Sequence, residues 1–157
     1  MESVVKIASY IANRYLYENG CRISEMKLHK LLYFTQRESI IQTGEQMFPE
    51  EFLAWRYGPV MVQIRSLYAQ DKLNELPSQS FIDKNKPIFD SVFSQYAKKD
   101  AWSLSRLTHG EFSWINARKD LLPDQNGTMA LSVDDIKKDA ERVKLNKIIF
   151  DIIDNAN

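Results

Sequence analysis

A chain of 157 residues, 44% apolar and 27% charged, has the size and balance of one globular domain, residues 1–157, with a buried core; disordered and fibrous classes are excluded. Its 21 basic and 21 acidic residues cancel, so no overall field draws it to nucleic acid, membrane or polyanions, and any binding comes from a local patch. A single cysteine, Cys21, rules out an internal disulfide and fits a reducing cytoplasm.

The first segment places Val4, Ala8, Ile11 and Tyr15 on one stripe, the spacing of an amphipathic helix, with Ser3 to cap it and Gly20 to end it. Glu2, Lys6, Arg14 and Glu18 interrupt its apolar run, unlike the core of a signal peptide. Nowhere is there a stretch of about eighteen apolar residues to span a bilayer. The expected protein is therefore soluble and cytoplasmic. Cys21, just past the helix end, reads as a small packing residue.

A second helix is expected from Ser24 to about Thr43. Leu28, Leu31 and Leu32 make one face and Met26, Tyr33, Phe34 and Ile41 another, so the helix is apolar on more than half its girth and belongs at the centre. Between Phe48 and Tyr57 the periodicity lapses, and Phe52, Leu53, Trp55 and Tyr57 suggest a short extended segment. Gly58 then frees the backbone, and Pro59 is expected at the first position of a third helix running to about Gln70. Asp71 to Lys86 is polar and reads as a long loop.

Pro87 is expected to open a helix carrying Ile88, Val92, Phe93 and Tyr96. Trp102, Leu104 and Leu107 begin another, bent at Gly110 before E-F-S-W-I-N-A-R. Pro123 to Gly127 reads as a turn, with Asn126-Gly127 its strongest signal. Ser132 caps the next helix, where Asp134 and Asp135 favour the positive end of the dipole. Val143, Leu145, Ile148, Ile149, Ile152 and Ile153 are expected to pack a last helix. The fold class is mainly α: a compact domain of about six or seven helices with at most a few short strands.

The chemical inventory is sparse. Cys21, His29 and His109 match no zinc spacing, so no metal and no cofactor is expected. The neighbouring carboxylates Glu50-Glu51 and Asp134-Asp135 do not share a helix face and read as solvated helix-start charges. Helices one and two mimic a helix-turn-helix, with Arg22, Lys27, Lys30 and Arg37 beside Tyr33 and Phe34, which raises a DNA-binding autoregulator as an alternative. The apolar girth of the second helix and the null net charge weigh against nucleic acid.

Two stretches combine aromatics with groups able to fix geometry. In one, Arg56 lies between Trp55 and Tyr57, placed to stack on aromatics or to reach a carboxylate. In the other, Thr108, His109 and Trp114 lie close together. As structural residues, Trp55 and Trp114 fill the core, Thr108 bonds at a helix end, and His109 bridges two helices as a satisfied polar group. As functional ones, Arg56 and His109 face a partner, or His109 serves a small enzyme if a carboxylate joins it.

Three motifs carry a resemblance: M-K-L-H-K-L-L-Y-F-T-Q (Met26 to Gln36), A-W-R-Y-G-P-V (Ala54 to Val60) and L-S-R-L-T-H-G-E-F-S-W (Leu104 to Trp114). In this order they resemble the SocA-like family, also called the Panacea domain, which includes GepA-type proteins of phages and mobile elements. The resemblance spans nearly the whole chain. Ser113 stands where the family often has a proline, a departure expected to relax the local turn. The resemblance implies an antitoxin that binds a cognate protein toxin encoded nearby, or an adaptor that delivers it to a Clp-type protease. Neither role needs a catalytic residue. The candidate motif or partner-binding residues are Lys30, Tyr33, Arg37, Trp55, Arg56, Tyr57, Thr108, His109 and Trp114. A-W-R-Y-G-P-V itself reads as a joint that packs Trp55 and Tyr57 on the central helix.

Overall fold

The computed structural model describes residues 1–156, which form eight α-helices, one π-helical turn and a two-stranded hairpin. Helix α1 (Val4–Asn19) starts at Ser3, whose hydroxyl accepts the Val5 N–H, and ends at Gly20 in a left-handed conformation. Helix α2 (Glu25–Thr43) is capped by Ser24 and ends in the same way at Gly44. Glu50 is not a helix-start charge of its own segment; its carboxylate reaches back to accept the Val4 N–H at the start of α1.

Every residue of α2 from Lys27 to Ile40 is buried. Around it lie α1, the strand β2 (Gly58–Val60), α3 (Val62–Ala69), α5 (Lys86–Val92), α6 (Ala101–His109) and α8 (Val133–Ala156). The core joins Leu28, Leu31, Leu32, Tyr33 and Phe34 of α2 to Ile7 and Ile11 of α1, Phe48, Phe52, Ile64, Phe89 and Leu104. The all-round apolar pattern of α2 thus leads to a central helix.

The hairpin corrects the expectation at Gly58-Pro59. Strand β1 (Leu53–Trp55) pairs antiparallel with β2, Trp55 opposite Gly58 and Ala54 opposite Pro59. Pro59 is a strand residue, and the third helix starts at Val62. The missing proline N–H is harmless because Ala54 turns its own groups the other way. Its N–H donates to the Met129 carbonyl at 3.1 Å, and its carbonyl accepts the Gly127 N–H at 3.2 Å. The segment 127–131 thereby lines the outer edge of β1, continued by the Leu131 N–H on the Phe52 carbonyl at 2.8 Å. The expected turn forms at Pro123-Asp124, where the Gln125 N–H donates to the Leu122 carbonyl; Asn126-Gly127 instead docks on the hairpin, and a Cβ at Gly127 would stand 2.8 Å from the Ala54 oxygen.

Three further expectations change. The polar stretch 71–86 contains α4 (Gln79–Lys84), which Ser78 caps by accepting the Phe81 N–H while Phe81 packs on the core. Cys21 is exposed, outside any packing role. The apolar residues near the C-terminus do not pack a last helix. Helix α8 buries Asp135, Ile136, Asp139 and Ala140, then runs on with every residue from 144 to 156 exposed. The remaining elements follow the sequence: α5 with Pro87 in its first turn, continued by a π-helical turn (Phe93–Ala97), then α6, and α7 (Phe112–Ala117) beyond Gly110.

Gly58 is the tightest point of the hairpin. Its φ of +115° disfavours an L side chain, and a Cβ there would stand 2.5 Å from the Thr108 hydroxyl oxygen and 2.7 Å from Lys30 Cε. Gly58→Ala is expected to cost about 3 kcal/mol by combining backbone strain with overpacking, read as a lower denaturant midpoint at unchanged m-value.

Candidate functional site

Eight of the nine sequence candidates separate into two clusters, one a buried polar network and the other around a cleft under the hairpin, with Trp114 between them. Tyr33 and Arg37, one turn apart on α2, build the first. The Arg37 guanidinium donates to Glu111 Oε1 at 2.5 Å and to the Tyr96 hydroxyl at 2.6 Å, and stacks near Phe34. The Tyr33 hydroxyl lies 3.0 Å from Glu111 Oε2, 3.1 Å from the Ser113 hydroxyl and 3.3 Å from Asp139 Oδ2. Asp139, from α8, accepts the Phe112 and Ser113 N–H groups at 2.7 and 2.9 Å and so caps α7, whose own N-cap residue Glu111 makes no side-chain cap.

Ser113 therefore does more than relax a turn. Its N–H is bound by Asp139, a bond that a proline at this position would lack, and its hydroxyl meets Tyr33. Burial pushes the Glu111 carboxyl above the usual range; Asp139 adds to this, while Arg37 pulls the other way. Burial also pushes the Tyr33 phenol well above 10, with Glu111 and Asp139 in support. Asp135 departs from the solvated reading as well: it is buried and accepts from the Asn116 amide at 2.8 Å.

The second cluster lies beneath the hairpin. A cleft of about 310 Å³ is bounded by His29 and Lys30 of α2, Trp55 and Arg56 of the hairpin, Arg65 of α3, and Asn126. Lys30 is 1% exposed, and its ammonium has one hydrogen-bond partner, the Pro59 carbonyl at 3.3 Å. Burial lowers its pKa to about 7, with Glu25 acting against that shift. His29, 2% exposed, accepts the Met61 N–H on Nδ1 at 3.2 Å, so the proton of the neutral ring sits on Nε2, which has no partner. Burial, with Lys30 and Arg65 nearby, lowers its pKa to about 3.

Thr108 donates to the Ser105 carbonyl at 2.7 Å, as a helix-end threonine should, and also walls Gly58. Trp114 is half-buried against the core and donates its indole N–H to the Trp55 carbonyl at 2.8 Å, whereas Trp55 is half-buried outside the core cluster, with the Arg65 guanidinium over its ring, and does not fill the core as expected. Tyr57 does not pack on the central helix; it is 39% exposed and meets Trp102 edge to face. Arg56 stacks on Tyr57, 4.3 Å from the ring centre, and its N–H donates to Asn126 Oδ1. His109 is half-buried and does not bridge two helices as a satisfied group. It stacks on Trp114 at 4.2 Å, and its Nε2 has no partner. Burial lowers its pKa, Lys30 and Arg118 add to this, and a backbone hydrogen bond with Arg56 opposes it. No group of three or more His, Cys, Asp or Glu side chains among the described residues is arranged to hold a metal ion.

The structure thus gathers Lys30, Trp55, Arg56, Tyr57, Thr108 and His109 around the hairpin, assigns Tyr33 and Arg37 to the network, and places Trp114 between them. Sequence reasoning missed His29, Arg65 and Asn126 at the cleft, and Glu111, Ser113 and Asp139 in the network. A signal for the latter existed: a tyrosine hydroxyl and a guanidinium on an all-buried helix require acceptors.

Residues 28–115 match the family model described as "Antitoxin SocA-like, Panacea domain". The chain belongs to this SocA-like family. The matched region runs from α2 through the hairpin to α7, taking in both clusters apart from Glu25, Met26, Asn126 and Asp139; α1 and α8 lie outside it, so the shared part is shorter than the nearly full-length resemblance expected. Neither a curated protein nor a solved structure matches the chain. Of the four cations that suggested a helix-turn-helix, Lys27, Lys30 and Arg37 are buried inside this SocA-like fold and cannot meet a phosphate backbone.

Two outcomes are expected from these clusters. Tyr33→Phe leaves two buried carboxylates and a serine short of one partner and lowers unfolding free energy by about 1–3 kcal/mol in chemical denaturation. Lys30 takes up its proton at about pH 7 in the folded chain and near 10.5 when unfolded, so the unfolded state holds more protons between these values. Stability contributed by the neutral amine is then present at high pH and lost as pH falls toward 7, with a slope of at most about 1.4 kcal/mol per pH unit. Denaturation midpoints of the wild type should rise from pH 7 to 9.5 relative to Lys30→Met; parallel profiles would contradict the buried amine.

Proposed function

We propose that the protein is an antitoxin that neutralises a cognate protein toxin, encoded nearby, by direct binding in the cytoplasm and without catalysis. The observation that carries this reading is the bare apolar face of α8. Leu145, Ile148, Ile149 and Ile152 follow the three-and-four spacing of a single stripe and are 45–63% exposed, with Ile153 and Phe150 beside them. A dozen residues of isolated helix are marginal in water, and a contiguous exposed apolar patch marks an interaction surface. Such a stripe suits the helix-in-groove mode of recognition, where anchors repeat at these spacings.

Membership of the SocA-like family supplies the kind of partner. The position of α8 outside the matched region suits a division in which the shared core is scaffold and a less constrained element selects the toxin. A non-catalytic role is supported at His109, where the neighbouring charged groups are the cations Lys30 and Arg118 rather than a carboxylate. None of the described helices is long and apolar enough to cross a membrane.

The test is co-expression of the tagged chain with the product of the adjacent gene, scoring growth and co-purification. Rescue with a stable complex is expected. The double substitution Ile149→Asp and Ile152→Asp should weaken that complex at least about thirtyfold, the ~2 kcal/mol of a hot spot, and abolish rescue while leaving the helical circular dichroism intact. Rescue without a complex, dependent on a Clp-type protease, would instead mark a proteolytic adaptor. A complex indifferent to both substitutions would remove α8 from the interface.

A further inference from the structure

The cleft under the hairpin lies away from the bare end of α8 and has a character of its own: its polar groups are nearly all donors. Lys30 spends one of three ammonium hydrogens on the Pro59 carbonyl, at a long 3.3 Å. His29 presents an Nε2–H with no acceptor, fixed in that tautomer by the Met61 N–H on its other nitrogen. Asn126 uses its amide oxygen on the Arg56 N–H, which leaves its NH₂ as a further donor at the rim. Arg56 and Arg65 stand at the mouth. Glu25 is the one acid in the lining, and it lies 3.5 Å from Arg65.

In a chain of zero net charge, two arginines and a lysine that titrates at about pH 7, set against one carboxylate around a single cleft, are a local concentration of basic groups. Two of its donors, Lys30 and His29, are all but fully buried, where an unmet hydrogen-bonding group is costly. The hairpin keeps the lysine in place: Gly58 and Thr108 close over its end, so the amine cannot swing out to water as surface lysines do. An acceptor-rich, negatively charged group is what these donors lack. The remaining wall is apolar and aromatic, with Trp55, Met26 and Val60, and suits the carbon body that carries such a group.

We propose that this cleft binds a small molecule bearing an oxyanion, a carboxylate or a phosphate, received by Lys30 and the His29 Nε2–H with Asn126 and the two arginines at its rim. The apolar wall holds the rest of the ligand. Binding of an anion also returns the Lys30 amine to its charged form, because an opposite charge in contact offsets the cost of burial. The site is independent of the α8 face, so the protein can carry this ligand whatever its toxin.

The experiment uses the full chain, isotope-labelled, titrated with sodium phosphate and separately with sodium acetate at constant ionic strength held by sodium chloride. The expected result is a saturable set of NMR shifts confined to the hairpin, the Asn126 side-chain amide and the first turns of α2, for at least one of the two anions. Lys30→Met should weaken that response at least tenfold, and Asn126→Ala, at an exposed position, should weaken it by a smaller factor without disturbing the fold. The Lys30 side-chain nitrogen should also titrate at higher pH in saturating anion than in chloride alone, a change that a purely structural lysine would not show. Shifts that fail to saturate, that chloride reproduces, or that persist undiminished in both variants would overturn the assignment.

Discussion

A helix enclosed by protein on all sides has nowhere to send its polar groups except into other elements, and α2 is such a helix from Lys27 to Ile40. Its leucines and aromatics fill the core, but its charged and polar side chains dictate what surrounds it. Gln36 binds the Met47 N–H and the Phe48 carbonyl, and so fixes the chain that returns from α2 toward the hairpin. Lys27 reaches the Ala97 carbonyl at the end of the π-helical turn. Arg37 and Tyr33 gather Glu111, Ser113, Asp139 and Tyr96, and His29 and Lys30 hold Met61 and Pro59. Each buried donor would otherwise carry the full cost of desolvation, so these contacts specify which loop lies where, beyond what apolar burial alone would choose.

The two sides of α2 satisfy this demand unequally. Toward α7 and α8 the network is closed but for the Arg37 Nε–H: Arg37 and Tyr33 meet two carboxylates, Arg142 adds a cation to Glu111 at 3.2 Å, and Asp139 completes the start of α7. Toward the hairpin it is left open, with a lone carbonyl for Lys30 and nothing for the His29 Nε2–H. A closed network reads as architecture. An open one leaves hydrogen-bonding capacity unmet on two nearly fully buried side chains, and the proposed oxyanion site rests on that capacity.

How much of this the sequence reveals depends on how local the cause is. The extent of α1 and α2 and the bend at Gly110 follow from caps, glycines and periodicity within one segment. So does the centrality of α2, from apolar residues on two faces. The hairpin does not, because Gly58-Pro59 taken locally is a good helix start. What makes it a strand is the edge supplied by residues 127–131, some seventy positions later, which takes the Ala54 groups and leaves Pro59 without need of an N–H. The site is legible in part: A-W-R-Y-G-P-V and T-H-G-E-F-S-W announce themselves by composition, yet their division into a network and a cleft depends on which side of α2 each one meets. In α8 the apolar stripe is plain in the sequence, while the absence of a neighbour for it is a property of the fold alone.

This arrangement gives the SocA-like core a simple physical logic. The region shared with the family holds α2 from Leu28 onward and most of the elements that answer its polar groups, and α8, outside that region, adds Asp139 and is tied to the core through Asp135, Ile136, Asp139 and Ala140 before it extends free. The most direct test of the account is hydrogen–deuterium exchange on the full chain, alone and bound to the adjacent gene's product. The account predicts amides of α2 protected to the global limit in both states, and residues 144–156 exchanging fast alone but slowly in the complex. Rapid exchange in α2 of the free chain, or protection on binding that appears elsewhere and leaves 144–156 unchanged, would contradict it.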